Sequence, residues 1–131
     1  MKIEVSNGEI VDKYTILEVK LNEIKDTDKL INVQKEYDSL TVPIQSMYTD
    51  VNPKNDKLSF LQNELLNINK TLWNIEDIIR SHEVEERFDS DFIELARSVY
   101  YVNDERALIK KQINELTGSK LTEEKSYQEY K

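Results

Sequence analysis

Arg106 is the residue whose position in this chain raises the clearest chemical question. It stands where an apolar residue would continue the stripe of a long amphipathic helix. A buried guanidinium group costs free energy unless hydrogen-bond acceptors meet it. A carboxylate of another helix could do so, with Asp12, Glu76 and Asp77 as candidates. An anionic ligand is the alternative, since the planar guanidinium fork matches both carboxylate and phosphate oxygens.

Cationic, aromatic and amide side chains could complete a pocket around Arg106. Trp73 offers a stacking surface for a planar ligand such as a nucleobase, or else it is an aromatic residue at the edge of the core. Lys13 flanks the apolar seam of the first helix, where it lines either a cationic pocket or a solvated face. The candidate ligand-binding residues are Lys13, Trp73, Arg80, Arg97, Tyr101, Asn103, Arg106 and Lys110.

The scarcity of histidine and cysteine argues against metal and nucleophilic chemistry. The chain has one histidine and no cysteine, so a histidine-based metal site, a catalytic triad and a thiol nucleophile all lack residues. Glu76 and Asp77 are a poor pair for Mg²⁺, because adjacent residues of a helix point in different directions. We therefore expect neither a metal nor a cofactor.

The net charge of −8 argues against binding to a nucleic-acid polymer. Such binders carry a basic face that neutralises phosphates, whereas residues 83–94 are strongly acidic. No apolar run approaches the roughly 20 residues of a membrane span, and the start of the chain has no apolar segment of signal-peptide length. We expect a cytoplasmic protein without membrane contact. The Lys-, Asn- and Ile-rich composition is typical of AT-rich coding, as in phages, for which the location would be the host cytoplasm.

Low glycine and proline content and the spacing of apolar residues favour helices. The chain has two of each, and the apolar positions of residues 58–79 repeat at intervals of three and four. This spacing is that of helices packed against helices. The sequence therefore predicts an all-α fold in one domain over residues 1–131, an antiparallel bundle of about four helices.

Capping and helix-breaking residues predict where the helices begin and end. Ser6 and Glu9 form a capping box for the first helix. The segment Asp26-Thr27-Asp28 offers a fresh N-cap, although the first two helices could also be one bent helix. Pro43 should end the second helix, which makes residues 41–56 an irregular connection. The other expected features are Asp56 as the N-cap of the third helix, Ser90 or Asp91 at the start of the fourth, Gly118 as its C-cap, a polar tail over 119–131, and a short strand or extended arm over 2–5.

Several motifs, in order along nearly the whole chain, resemble a bacterial and phage family of unknown function. They are DKYTILEVKL at 12–21, KEYDSL at 35–40, LWNIEDIIR at 72–80, ARSVYYVNDERALIKKQINELTGS at 96–119 and EEKSY at 123–127. The resemblance implies that the polar residues of these motifs matter to the fold or to a site. In this sequence they are Asp12, Lys13, Glu18, Lys20, Trp73, Glu76, Asp77, Arg80, Arg97, Asn103, Asp104, Arg106, Lys110, Glu124 and Lys125.

Three functions fit these observations. The first is a small helical protein that sequesters an anionic, nucleotide-like molecule in a pocket lined by arginine and lysine. The second is an enzyme that rearranges an anionic metabolite electrostatically, in the loose style of chorismate-mutase bundles. The third is a protein-interaction module without a ligand, whose seam is the functional surface. Because long helices in a short chain often continue their seam onto a second copy, we also expect a homo-oligomer.

Overall fold

Four helices build the fold in a computed structural model that describes residues 1–130. They are α1 (Asn7–Glu23), α2 (Thr27–Val51), α3 (Asn55–Val84) and α4 (Ser90–Thr117). Hydrogen bonds pair Asn7 with Thr117 and Asp12 with Arg106, so α1 and α4 run in opposite directions. Strands are absent from residues 1–130. The predicted all-α bundle of four helices is therefore confirmed.

Side-chain caps begin three of the four helices. The Ser6 hydroxyl accepts the Glu9 amide at 3.2 Å, and the Asp26 carboxylate accepts the Lys29 amide at 3.1 Å. Ile24 is extended and Asp26 caps a new helix, so α1 and α2 are separate helices, which settles the question that the sequence left open. Asp89 caps α4, and Gly118 ends it with φ 63°, in the left-handed conformation that glycine adopts without strain.

The prediction that Pro43 ends the second helix is wrong. α2 continues through Pro43 to Val51, so the connection to α3 is only 52–54 rather than 41–56. Proline inside a helix removes a hydrogen bond and costs roughly 3 kcal/mol. Burial of Ile44, Met47 and Val51 in the core offsets that cost, because these side chains reach the core only if α2 stays helical.

The start of α3 also differs from the sequence prediction. The helix begins at Asn55, after Lys54, and no side chain caps it. Asp56 lies in the first turn instead of preceding it. There its carboxylate still favours the helix, since negative charge is stabilised by the amide dipoles of a helix N-terminus.

The core lies where α1, α2, α3 and α4 all meet, and we call this region the packed end. Its buried apolar residues are Val11, Ile44, Met47, Val51, Leu58, Leu61, Leu65 and Ile113. Gly8 lets α1 approach α4 closely at this end: its amide donates to the Asn114 side chain at 2.6 Å. A Cβ at Gly8 would lie against the backbone carbonyl of Lys110.

The two ends of the chain have no regular secondary structure. Residues 1–5 are exposed and form no strand. Of the two predicted alternatives, a short strand or an extended arm, the arm is the one observed. Residues 119–130, which we call the tail, follow α4 without helix or strand, and Lys131 lies outside the described residues. Within residues 1–130, none of the four helices has both the length and the apolar character to cross a membrane.

Candidate functional site

Asp12 is the partner that neutralises Arg106. The guanidinium Nε donates to Asp12 Oδ1 at 2.8 Å, and Nη2 donates to Oδ2 at 2.5 Å. The Asp12 side chain is 1% exposed and that of Arg106 is 28% exposed. Of the two alternatives that the sequence left for Arg106, the carboxylate of a neighbouring helix is the one found. The hydrogen bonds that Arg106 donates to Asp12 raise the pKa of Arg106, so the guanidinium stays charged.

Two neutral side chains complete the surroundings of this ion pair. Asn69 Nδ2 donates to Asp12 Oδ1 at 3.0 Å and to Thr15 Oγ1 at 2.9 Å. Thr15 Oγ1 in turn donates to the Asp12 backbone carbonyl at 2.8 Å. We call Asp12, Thr15, Asn69 and Arg106 the Asp12 network. It joins α1, α3 and α4, and it supplies the hydrogen bonds that a buried ion pair requires.

Asn69 and Thr15 were not among the candidates drawn from the sequence. Asn69 directly follows Ile68 on the apolar stripe of α3, and Thr15 lies one turn after Asp12 in α1. A polar residue beside an apolar stripe is common on any helix, so neither position stands out without knowledge of its neighbours. Asn69 is 6% exposed and Thr15 is fully buried.

A cleft of about 470 Å³ opens beside the Asp12 network, and we call it the Trp73 cleft. Helices α1, α3 and α4 all contribute to its walls. Four of the predicted ligand-binding residues line it: Trp73, Arg80, Asn103 and Arg106. Its other lining residues are Ile16, Val19, Asn69, Leu72, Glu76, Asp77 and Val99.

The charges around the Trp73 cleft nearly cancel. Asp12 neutralises Arg106, and Arg80 lies 3.5 Å from Glu76 on the exposed rim. Asp77 adds a further negative charge to the lining. The cleft therefore differs from the cationic pocket predicted from the sequence, because carboxylates accompany its arginines.

The structure does not bring the other four predicted residues into the cleft. Lys13 lies 3.6 Å from Glu36, and both side chains are exposed. Arg97 makes a surface ion pair with Glu94 at 3.2 Å. These distances describe solvated helix faces, where an ion pair contributes little to stability.

Tyr101 and Lys110 lie beside the tail. The Tyr101 ring packs edge to face on Tyr130, with centroids 5.0 Å apart. Lys110 Nζ donates to Glu9 at 2.7 Å and to Glu123 of the tail at 3.2 Å.

The ion pairs of Lys110 fix its charge and that of Glu123. Burial is the largest single effect on Lys110 and opposes its charge, but the hydrogen bonds to Glu9 and Glu123 and the nearby charges of Asp12 and Glu9 together outweigh it and raise the pKa of Lys110. The hydrogen bond from Lys110 lowers the pKa of Glu123. Lys110 therefore stays charged near neutral pH and ties the tail to α1 and α4.

Acidic and histidine side chains do not gather into a metal site in the described part of the chain. Within residues 1–130, no group of three or more such side chains is arranged to hold a metal ion. The polar residues at the cleft can instead donate and accept hydrogen bonds beside an aromatic face.

The chain belongs to DUF6165, a family of unknown function, whose pattern matches residues 1–130. This confirms the resemblance to a family of unknown function that the sequence suggested. No curated protein and no solved structure matches the chain.

Proposed function

We propose that this protein binds a small molecule in the Trp73 cleft. The observation that carries the proposal is the gathering of Trp73, Asn103 and Arg106 around one depression beside a buried ion pair. A volume of about 470 Å³ lies within the range of small-molecule sites, roughly 300–1,000 Å³. Apolar side chains with a few convergent polar groups are the usual lining of such sites.

Arg106 is held in a fixed orientation, which suits it to recognise a ligand. Asp12 engages Nε and Nη2, whereas the bond from Nη1 to Asn103 Oδ1 is long, at 3.4 Å. The Nη1 edge can therefore donate to a ligand oxygen without losing the ion pair. Because the side chain is already ordered, binding costs little conformational entropy.

The balance of charge narrows the class of ligand. A nucleoside triphosphate would bring several negative charges next to Glu76 and Asp77, which repel them. A planar ring with one carboxylate, one phosphate monoester or a carbonyl acceptor fits better. Its ring packs against Trp73 and Val99, and its acceptor meets Arg106. This keeps the nucleotide-like ligand of the sequence analysis but limits its charge.

Trp73 provides the test, because it is the only tryptophan of the chain. Native mass spectrometry of the purified protein should show a retained molecule, and titration with nucleoside monophosphates should change the Trp73 fluorescence. Val99→Phe fills the cleft and should abolish both signals. The matched control is Val84→Phe, at a position 85% exposed, which should keep them. Equal binding by both variants would place the ligand elsewhere.

A second candidate, the protein-interaction module, also has an observation in its favour. Each of the four arginines has a carboxylate partner within the chain, so none requires a ligand. Large apolar side chains such as Phe60 and Leu108 are exposed. A homo-oligomer would cover some of them.

Sedimentation of the wild type and of Leu108→Ser tests self-association. Loss of self-association in the variant supports the homo-oligomer, and a wild-type monomer contradicts it. The enzyme alternative stays a prediction.

A further inference from the structure

The tail folds back along α4 and forms one wall of a second, open cavity. Lys110 holds Glu123, and the Tyr130 hydroxyl donates a hydrogen bond to the Asp104 carboxylate. That bond raises the pKa of Tyr130 to about 12, so the hydroxyl stays protonated and is the donor. The cavity between the tail and α4 measures about 720 Å³. We call it the tyrosine pocket.

Aromatic rings and one carboxylate characterise this pocket. Tyr100 of α4 and Tyr127 and Tyr130 of the tail line it, together with Val99, Asn103, Asp104, Lys125 and Gln128. The rings of Tyr100 and Tyr130 lie edge to face, 5.0 Å apart at 77°. Aromatic faces carry negative electrostatic potential and attract cations. Asp104 adds a formal negative charge to the same wall.

A cation of the chain itself already uses one of these faces. Lys125 Nζ lies 5.8 Å from the centre of the Tyr127 ring. The same ammonium group is 3.5 Å from Glu123, and the lysine side chain is 41% exposed. Lys125 can therefore leave the ring and remain paired with Glu123 at little cost, because its two partners adjoin each other.

We propose that the tyrosine pocket binds a small organic cation with a methylated ammonium group, whose place Lys125 holds in the free protein. A methylated ammonium is bulky and weakly hydrated, so it gives up water for aromatic faces more readily than Lys125 does. Asp104 balances its charge. Since Val99 and Asn103 line both cavities, the experiment must distinguish this pocket from the Trp73 cleft. The proposal does not depend on the function proposed for that cleft.

Choline is the probe. The comparison ligand is its neutral isostere, in which a carbon atom replaces the ammonium nitrogen. Titration of the full chain followed by NMR should show choline shifting the ring signals of Tyr127, while the isostere binds more weakly. Tyr127→Leu should weaken choline binding about twofold to fivefold, as expected for one exposed cation–π contact, and Tyr127→Phe should retain it. Tyr127 is 72% exposed, so these variants leave the helices intact.

Removal of Lys125, which competes for the Tyr127 ring, tests the proposal more directly than the Tyr127 variants do. Lys125→Gln should tighten choline binding, whereas Lys120→Gln, a matched loss of one charge in the tail outside the pocket lining, should leave it unchanged. The proposal is overturned if Lys125→Gln does not bind choline, or if the neutral isostere binds equally well. It is also overturned if Trp73→Phe abolishes binding, because the cation would then lie in the Trp73 cleft.

Discussion

The packed end and the Trp73 cleft are built on the same helices, α3 and α4, yet one is filled and the other is open. At the packed end Leu58, Leu65 and Ile113 have no exposed surface. At the cleft, Leu72 and Val99 occupy corresponding stripe positions but stay partly exposed. The difference comes from α2, which adds Ile44, Met47 and Val51 to the packed end and no lining residue to the cleft.

The Asp12 network lies beside the cleft and explains why the open region keeps its shape. Its hydrogen bonds join α1, α3 and α4, and its members Asn69 and Arg106 also line the cleft. A polar network of this kind holds helices in one register while leaving neighbouring apolar surface uncovered. One apolar stripe can therefore serve stability along part of its length and leave a cavity along the rest.

The largest expected effect is the loss of a core side chain at the packed end. Leu65→Ala should lower the free energy of unfolding by about 3–5 kcal/mol, because it leaves a cavity in a fully buried site. Leu72→Ala, on the same stripe at the cleft, should cost only about 1 kcal/mol, since its side chain is partly solvated. Denaturant unfolding of both variants measures the contrast. Equal losses would mean that the two regions are packed alike.

Breaking the Asp12 network should have the next largest effect. Asp12→Asn leaves the partly buried Arg106 without its counter-charge, at a cost of about 2–4 kcal/mol. The double variant Asp12→Leu with Arg106→Met should recover most of that stability, because apolar pairs often replace buried ion pairs without loss. Thermal unfolding compares the three proteins. If the double variant is as unstable as Asp12→Asn, apolar side chains cannot replace the ion pair, and the prediction is wrong.

The smallest expected effect is the release of the tail in acid. The pKa of Glu123 is lowered in the folded chain, so its contribution is present at pH above the ordinary glutamate pKa. It is lost as the pH falls through the lower, folded value. We expect no more than about 0.2–1 kcal/mol, as for other exposed ion pairs.

The measurement is NMR of the tyrosine rings of the tail during an acid titration. Glu123→Gln should shift the tail toward the released state already at neutral pH. Glu124→Gln is the matched control, because Lys110 donates to Glu123 rather than to Glu124. If the wild type and Glu123→Gln titrate identically, Glu123 is not the group that holds the tail.

Much of the fold was predictable because it depends on short-range features. The caps at Ser6 and Asp26 and the stop at Gly118 involve residues within a few positions of each other. Apolar spacing likewise identified the buried face of α3. Pro43 is the main exception, since its local preference was outweighed by core contacts of Ile44 and Met47 that lie in the tertiary fold.

The candidate site was predictable in part. The sequence singled out Arg106 and named Asp12 among its candidate partners, but it could not choose between Asp12, Glu76 and Asp77. That choice depends on which turns of α1, α3 and α4 lie next to each other in the bundle. Lys13 and Arg97 were grouped with Arg106 on charge alone, and the packing of the helices separates them.

The sequence by itself determined the all-α class, most of the helix ends and the presence of a charge on an apolar stripe. Each of these follows from residues one or two turns apart, whose interactions are local. Only the tertiary structure decided that α2 covers one end of the bundle, that Asp12 meets Arg106, and that Trp73 faces a cleft. These outcomes depend on how far each helix extends past its neighbours, which no spacing along a single helix records.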